Sequence, residues 1–226
     1  MVKKRSKKTP AVNRIKEKVI NIKNWLVKYW LPLFILLALF LLFYLLIIKD
    51  LPSPTKLTKQ PPSQTTKIFD RNGVLLYGIY LNQNRTLVKL SQIPDSLEKA
   101  TIAIEDKNFY KHGGINILGG MIRAVKDMVF TGKLQGGSTI TQQLVKNALL
   151  TSERTVTRKV KEIILAFLVE SIYSKDQVLE MYLNQVPYGG TAWGVEAASE
   201  KYFGKKVAEL NLTESALIAG LPQAPS

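Results

Sequence analysis

The chain has 226 residues, 46% of them hydrophobic, which is enough for one domain of ordinary size with short appendages. Its formal net charge is +15, and a tail formed by residues 1 to 28 supplies +9 of that, with ten Lys or Arg and a single acid, Glu17. A basic tail without a docking motif does not indicate nucleic-acid binding. The lack of cysteine excludes disulfides and thiolate chemistry, and the single histidine, His112, excludes a multi-histidine metal site.

An apolar segment follows the basic tail. Residues 31 to 48 carry no charge, are rich in Leu, Ile and Phe, and are long enough as a helix to cross most of a bilayer. A buried core helix and a cleaved signal peptide are the alternatives, but the run exceeds a signal core and no small-residue cleavage pattern follows it. Trp25, Tyr29 and Trp30 suit an aromatic belt, and the charge of the tail places the N terminus in the cytoplasm. The sequence therefore predicts a single transmembrane anchor at residues 29 to 48 with everything after it outside.

A spacer and a small β element come next. Residues 49 to 66 contain four prolines among Ser, Thr, Lys and Gln, a composition typical of an extended spacer. Residues 68 to 76 place an Asn-Gly pair between apolar runs, which is a strong hairpin signal. Residues 85 to 90 alternate like a third strand. A small β element is thus predicted over residues 67 to 93.

From Pro94 onward the apolar periodicity is helical. Capping and stop signals divide this region into successive helices. These signals are Asp95 or Ser96 for a helix to about Asp106, Ser138 or Thr139 for one to Leu150, a Ser174–Gln177 capping box, and the stops Gly204 and Gly220. A mainly α domain is therefore predicted over residues 94 to 226.

Two acids lie where this first helix ends. Glu105 and Asp106 follow an apolar helical stretch and precede Phe109, His112 and a glycine pair. A carboxylate at such a rim can serve acid–base chemistry, but paired acids at a helix end are also common as exposed caps or salt-bridge partners. The residues alone leave both interpretations open.

Two further segments combine charge with hydrogen-bonding groups. Residues 136 to 147 contain a glycine pair, a hydroxyl-rich helix start, and Gln142, Gln143 and Lys146 on adjacent turns, which together would attract phosphate. An ordinary capped helix with solvated polar residues is the alternative. In the later segment Glu162 lies among several cations beside an apolar stripe, and a surface helix of mixed charge explains this equally well.

Taken together, residues 94 to 225 resemble the family 51 glycosyltransferase domain, the glycan-polymerising module of class A penicillin-binding proteins and of monofunctional peptidoglycan glycosyltransferases. Five sequence blocks of that family occur here in order. They are Glu105-Asp106 with Phe109, His112 and Gly113; residues 136 to 147; Arg158-Lys159 with Glu162, Ser174-Lys175 and residues 182 to 184; Ala197 with residues 202 to 205; and residues 214 to 225. The resemblance implies a lysozyme-like, two-lobed helical domain, preceded here by the small β element and one transmembrane helix, on the outer face of a bacterial plasma membrane.

The resemblance also assigns roles to residues. Glu105 falls on the general base and Glu162 on the second essential glutamate. Positions expected to bind the donor pyrophosphate and sugars are Asp106, Phe109, Ser138, Thr139, Gln142, Gln143, Lys146, Asn147, Arg154, Arg158 and Lys161. No metal site is assigned, and a divalent cation (Mg²⁺ or Mn²⁺) on the donor pyrophosphate is the one cofactor considered. Asn116 stands where an aspartate is expected, so the local loop departs from the family pattern.

The implied reaction extends a glycan strand. The growing strand on undecaprenyl pyrophosphate is the donor and lipid II is the acceptor, whose sugar hydroxyl needs a carboxylate to take its proton. Pyrophosphate leaves as a stable anion, so cations can replace the acid of a glycosidase. A single displacement would invert the anomeric centre, giving a β-1,4 glycan and undecaprenyl diphosphate. Other cell-wall synthesis proteins are further expected partners.

Two other functions compete with this one. A lysozyme-like lytic transglycosylase would also be helical and built around a glutamate, but it must protonate a sugar leaving group and has no use for a pyrophosphate clamp. A catalytically silent membrane-tethered scaffold would not need both glutamates and the amide–lysine block. The chain stops directly after the last block, so we expect it to be a fragment that lacks further helices of the domain.

The segment between the first two blocks, residues 116 to 130, is amphipathic. Its apolar stripe can pack into the domain core. It can also form a jaw that enters the membrane, as this part of the family domain is thought to do. Met121 and Met128 would adapt to a mobile polyprenyl chain, and Lys126 and Lys133 would meet anionic head groups. Membrane lipids are therefore among the expected partners.

Overall fold

The computed structural model describes residues 10–115, 137–151, 153 and 155–223. The chain forms two compact units, residues 1–50 and residues 51–226.

The first unit contains one long helix. Helix α1, Pro10–Phe43, continues as a π-helical turn, Tyr44–Ile48. Within it, Val27–Ile48 is long and apolar enough to cross a membrane, and its large side chains other than Ile47 are exposed. The apolar N-terminal helix predicted at residues 29 to 48 is therefore confirmed.

The second unit begins with the proline-rich segment. The prediction of an extended spacer is wrong here, because the segment contains a short helix, α2 (Lys56–Lys59), that packs on the domain. Leu57 of this helix is 6% exposed and belongs to the main core. Thr58 Oγ1 lies 3.0 Å from Tyr173 Oη, within hydrogen-bond distance. One apolar side chain and one hydroxyl thus anchor a segment whose composition alone favours extension.

The predicted hairpin is confirmed. Strands β1 (Thr66–Phe69) and β2 (Leu75–Ile79) pair antiparallel. Asp70 Oδ1 accepts hydrogen bonds of 2.8 Å from the N–H groups of both Asn72 and Val74. Gly73 takes φ +80°, which other residues rarely adopt, so the Asn-Gly pair sets the turn.

Helices form most of the remaining described chain, which confirms the mainly α class. They are α3 (Asp95–Glu105), α4 (Ile140–Leu149), α5 (Val156–Ile172), α6 (Lys175–Gln185), α7 (Val195–Phe203) and α8 (Leu212–Gly220). Short 3₁₀ turns occur at Leu90–Gln92, Phe109–Lys111, Val207–Glu209 and Leu221–Gln223. Helix α3 packs against α8, and α4 packs against α5 and α6.

The predicted caps mostly agree with the structure. Thr139 and Ser174 cap α4 and α6 through reciprocal capping boxes, and Gly204 ends α7 in the left-handed conformation at φ +66°. At α3 the residue before the helix is Pro94 rather than Asp95 or Ser96. Asn211 caps α8, a signal that the sequence analysis missed.

The predicted third strand at residues 85 to 90 is absent from the described chain, where the sheet has two strands. Side chains of α6 satisfy this segment's backbone instead. Asn184 accepts from the Val88 N–H at 3.0 Å and donates to the Val88 carbonyl at 2.8 Å. Glu180 Oε2 accepts from the Leu90 N–H at 2.7 Å. Because these backbone groups already have partners, alternation alone does not produce a strand.

The core of the second unit lies between these helices. Leu97, Leu144, Tyr182, Leu183 and Ile218 are all fully buried within it. The amphipathic segment at 116 to 130 lies outside the described residues, so its two interpretations and the two-lobed outline stay predictions.

Candidate active site

Glu105 is the last residue of α3, and its half-buried carboxylate faces α4. Gln143 Nε2 donates a 2.6 Å hydrogen bond to Glu105 Oε2. The Gln143 carbonyl in turn accepts from Tyr182 Oη at 3.5 Å, so α6 helps to orient the amide. The second oxygen, Oε1, is buried without a partner at hydrogen-bond distance among the described residues. That oxygen is free to accept a proton.

Burial raises the pKa of Glu105 above the ordinary value of a glutamate. The hydrogen bond from Gln143, the charge of Lys146 and the amide of Gln223 all act to lower this pKa, but burial outweighs them. A carboxylate with a raised pKa binds a proton more readily, which suits a general base. The same carboxylate raises the pKa of Tyr182, after the larger effect of burial.

Lys146 interacts electrostatically with both predicted catalytic glutamates. Burial lowers its pKa, and the carboxylates of Glu162 and Glu105 oppose that change. Arg158 and Lys159 add to the lowering, because like charges disfavour another cation. Within the described chain, Lys146 thus belongs to a group of three cations beside the two glutamates.

Glu162 is buried at 2% exposure, which rules out the solvated surface position considered from its sequence. Lys159 Nζ lies 2.5 Å from Glu162 Oε1 and donates a second hydrogen bond of 2.9 Å to Ser138 Oγ. The ion pair therefore connects α5 to the loop before α4. We refer to Glu105, Gln143, Lys146, Lys159 and Glu162 as the glutamate cluster.

Several residues predicted to bind substrate have structural partners instead. Asp106 is 2% exposed, and its carboxylate accepts from the Ile140 N–H at 3.2 Å and contacts His112 Nε2 at 2.8 Å. The Gln142 carbonyl accepts from the Thr139 N–H at 2.9 Å as part of the α4 cap. Because these atoms hold the start of α4, they help to position the cluster.

Phe109, another residue predicted to bind substrate, also has structural partners. Its ring is fully buried and lies under Lys175, whose Nζ is 4.4 Å from the ring centroid. Lys175 is held by a 2.6 Å ion pair with Glu170, and Glu170 accepts from Thr141 Oγ1 at 2.5 Å. In this structure the Phe109 ring therefore packs in the core beneath this ion pair.

The loop after α3 is fixed against two other helices. Gly114 takes φ +82°, and a Cβ placed there would lie 2.8 Å from the Ala166 carbonyl oxygen of α5. Thr139 Oγ1 donates a 2.7 Å hydrogen bond to the Gly114 carbonyl. Close approach and hydrogen bonding therefore join the elements that carry Glu105 and Glu162.

The remaining predicted ligands are dispersed. Arg158 and Lys161 are half-buried on α5, and only Arg158 is linked to Lys146. Asn147 lines a separate recess, and Arg154 lies outside the described residues. Lys159 had no predicted role, although its spacing of three from Glu162 on a helix was a usable signal.

The geometry would allow Glu105 to accept a proton beside the group of three cations. The described residues contain no group of three or more His, Cys, Asp or Glu side chains able to hold a metal ion. A half-buried base, an amide that orients it and a set of cations suit attack by a hydroxyl with departure of an anionic group.

Comparison with known proteins agrees with this chemistry. The model of the transglycosylase family matches residues 72–226. Penicillin-binding protein 1A of Rickettsia prowazekii is 45% identical over 181 residues, covering 78% of this chain and 23% of that protein. The Aquifex aeolicus protein of the same name is 46% identical over 196 residues, 85% of this chain and 27% of its own length. Penicillin-binding protein 1F of Bacillus subtilis is 46% identical over 162 residues, 72% and 22% of the two chains.

Among solved structures, penicillin-binding protein 1A from Haemophilus influenzae is 25% identical, with a TM-score of 0.33, over 72% of this chain and 14% of that one. The chain spans about a quarter of the length of the curated relatives that it matches.

The family match covers most of the chain, and the chain belongs to the transglycosylase family. The family expected from the sequence is thus confirmed. The relatives together with the apolar helix support anchoring in a membrane.

Proposed function

We propose that the chain polymerises lipid II into β-1,4-linked glycan strands with release of undecaprenyl diphosphate, and that Glu105 is the base. The observation that carries this proposal is the half-buried Glu105 carboxylate, with one oxygen bonded to Gln143 and the other without a partner among the described residues. It lies beside a group of cations, as an anionic leaving group requires.

Proton transfer is the first step. The attacking sugar hydroxyl forms a bond to the anomeric carbon of the donor as its proton passes to Glu105 Oε1. The raised pKa of Glu105 makes the carboxylate a stronger base, and Gln143 keeps its orientation. Attack on the face opposite the leaving group inverts the anomeric centre.

Departure of the pyrophosphate is the second requirement. Lys146, Lys159 and Arg158 would stabilise the charge that develops on the leaving oxygens. Glu162 is buried and fixes the half-exposed Lys159 through an ion pair, so it acts on the phosphates through that lysine. Ser138, Lys161 and Arg154 extend the proposed phosphate and sugar contacts along the same blocks.

A divalent cation on the donor is a separate part of the proposal. The described residues provide no three-ligand protein site, so Mg²⁺ or Mn²⁺ would be held mainly by the pyrophosphate. Polymerisation should then fall on addition of EDTA and recover with either ion. Unchanged turnover in EDTA would remove the cation from the proposal.

The choice between synthesis and lysis rests on the cations. A lytic enzyme protonates a sugar leaving group and gains nothing from Lys146 and Arg158 beside its glutamates. A silent scaffold would not need a carboxylate held at a raised pKa. Consumption of lipid II, cleavage of finished glycan, or neither would distinguish the three.

Replacement of Glu105 tests the base. Glu105→Gln keeps the shape of the side chain but removes the proton acceptor, so polymerisation of lipid II should fall ~100-fold to 10,000-fold. Glu98→Gln makes the same change on the same helix, away from the cluster, and should leave the rate within about twofold. Lipid II binding should survive in both variants. Near-normal turnover by Glu105→Gln would refute the assignment.

Orientation and partners complete the proposal. We place the N terminus in the cytoplasm and the catalytic unit outside, where it would meet membrane lipids, the nascent strand and other cell-wall synthesis proteins. A reporter fused after Thr66 should be active only outside the cytoplasm. Activity inside would overturn both the orientation and the substrate.

A further inference from the structure

A recess of about 210 Å³ opens in the second unit beside the segment that follows the apolar helix. Its walls include Lys56 of α2, Arg85 before α3, Asn147 of α4, Gln185 at the end of α6, and Trp193 shortly before α7. No member of the glutamate cluster lines it. It is therefore a second place where polar and charged groups converge.

Arg85 is the unusual group in this recess. The residue is 3% exposed, and the centre of its guanidinium lies 5.2 Å from the Trp193 ring centroid. Its Nε is buried without a hydrogen-bond partner, and no carboxylate of the described residues forms an ion pair with it. Burial lowers the pKa of Arg85 to about 10, which still leaves it cationic at neutral pH. A buried cation of this kind is costly unless an anion joins it.

The backbone holds Arg85 firmly in this place. The Arg85 N–H donates to Thr65 Oγ1 at 2.9 Å, and its carbonyl accepts from the Thr65 N–H at 2.8 Å. The neighbouring Asn84 exchanges backbone hydrogen bonds of 2.8 and 2.9 Å with Thr191 and Trp193. Its position is thus fixed from both sides, and the unpaired charge is a built feature of the recess.

The surrounding groups define the chemistry of a ligand. Lys56 supplies a second positive charge, while Asn147 and Gln185 supply amide donors. A planar guanidinium with amide donors suits an oxyanion that has several acceptor oxygens, and phosphate fits this description. Residues 49 to 55, which connect the apolar helix to Lys56, can extend over at most about 25 Å. The chain therefore keeps this recess within reach of the head groups around the anchor.

We propose that this recess binds the phosphate of an anionic phospholipid head group through Arg85 and Lys56. The lipid would neutralise the buried arginine and fasten the segment around α2 to the membrane surface. The site is independent of the proposed reaction at Glu105.

The tryptophan beside Arg85 provides a direct measurement. The chain has three tryptophans, so Trp25→Phe with Trp30→Phe leaves Trp193 as the only indole emitter. The full chain in neutral detergent micelles would be titrated with phosphatidylglycerol, with phosphatidylcholine, and with inorganic phosphate. We expect a saturable change in Trp193 emission with phosphatidylglycerol. Binding of phosphatidylcholine and of inorganic phosphate, measured in the same way, should be at least about tenfold weaker.

Matched variants separate the recess from general charge attraction. Arg85→Met should weaken the phosphatidylglycerol response at least about tenfold, while Arg71→Met, an exposed arginine of the hairpin turn, should not change it. Lys56→Met should weaken it about threefold to fivefold relative to Lys59→Met, an exposed lysine of the same helix that does not line the recess. This second pair decides the matter if Arg85→Met does not fold.

The outcomes are distinct. Selective loss in Arg85→Met and in Lys56→Met supports the proposal. Equal curves within each pair would overturn it, because general attraction to an anionic micelle would then explain the binding. Equal affinity for inorganic phosphate and phosphatidylglycerol would overturn the proposal of a lipid ligand, because the recess would then be a site for free phosphate. Polymerisation by Lys56→Met should stay normal, so failure here would not affect the proposed reaction.

Discussion

The end of α3, which carries Glu105, and the first half of α5, which carries Glu162, place the same side chain in opposite surroundings. Glu105 is half-buried, receives a neutral amide from Gln143 and has one oxygen without a partner among the described residues. Glu162 is almost fully buried and lies 2.5 Å from a lysine ammonium. A carboxylate held by neutral groups can take a proton, whereas one paired with a cation can mainly hold that cation in place.

A change at Glu162 should separate the two roles. Glu162→Gln removes the partner of Lys159 but keeps the size of the side chain, so the cations should move from their positions. We expect polymerisation to fall by about 30-fold, less than in Glu105→Gln, because the catalytic groups are displaced rather than removed. The rate of lipid II consumption measures it, with Glu209→Gln as an exposed control. A loss as complete as that of Glu105→Gln would show that the two glutamates share the chemical step.

A change at Lys146 should have a smaller effect. Lys146→Ala removes one of three cations that would face the leaving group, and Arg158 and Lys159 remain, so we expect about a tenfold loss of turnover. Donor binding or the chemical step should suffer more than acceptor binding. Lys99→Ala on the exposed surface of α3 is the control. Normal polymerisation at low lipid II concentration would show that Lys146 has a structural role and does not act on the leaving group.

The pH dependence of the polymerisation rate tests directly whether Glu105 is the base. The active form has Glu105 ionised, so the rate should rise with pH through the Glu105 pKa, which burial raises above its ordinary value. The charge of Lys146 lowers that pKa, so Lys146→Ala should move the acidic limb to higher pH. Glu162→Gln, a change beyond Lys146, should move the limb less. A limb that shifts equally in both variants would contradict the contrast between the two glutamates.

Stability should respond in the opposite direction to activity at Glu105. Its pKa is raised on folding, so the associated stability is present below the unfolded pKa and is lost as pH rises through the folded pKa. Glu105→Gln avoids this loss and should raise the melting temperature near neutral pH by about 2 °C. The difference should vanish in acid. A lower melting temperature would mean that the ionised carboxylate stabilises the fold.

The sequence predicted the local features of this molecule well. Helix ends at Thr139, Ser174 and Gly204 depend on neighbouring residues, and the hairpin depends on an Asn-Gly pair, so short motifs were sufficient. The family blocks pointed to Glu105 and Glu162, and in the structure both carboxylates lie near enough to Lys146 to influence its charge.

The larger failures involve partners distant in sequence. Residues 85 to 90 alternate like a strand, but Asn184 and Glu180, about 95 residues later, take their backbone groups. Leu57 gives the proline-rich segment a core contact that composition does not reveal. Asp106 accepts a hydrogen bond from Ile140, 34 residues later, a contact that its sequence neighbours do not reveal. Partner choice over such distances depends on the whole fold.

Gly114 restricts how this enzyme can be altered. A saturation library at that position should return only glycine, because any side chain would meet the Ala166 carbonyl and adopt a disfavoured φ of +82°. Substitutions that enlarge residues around it would separate α5 from the loop after α3, and so move Glu162 away from Glu105. Gly114 carries no chemistry itself, but its close contact with Ala166 helps to set how closely the loop after α3 packs on the helix that carries Glu162.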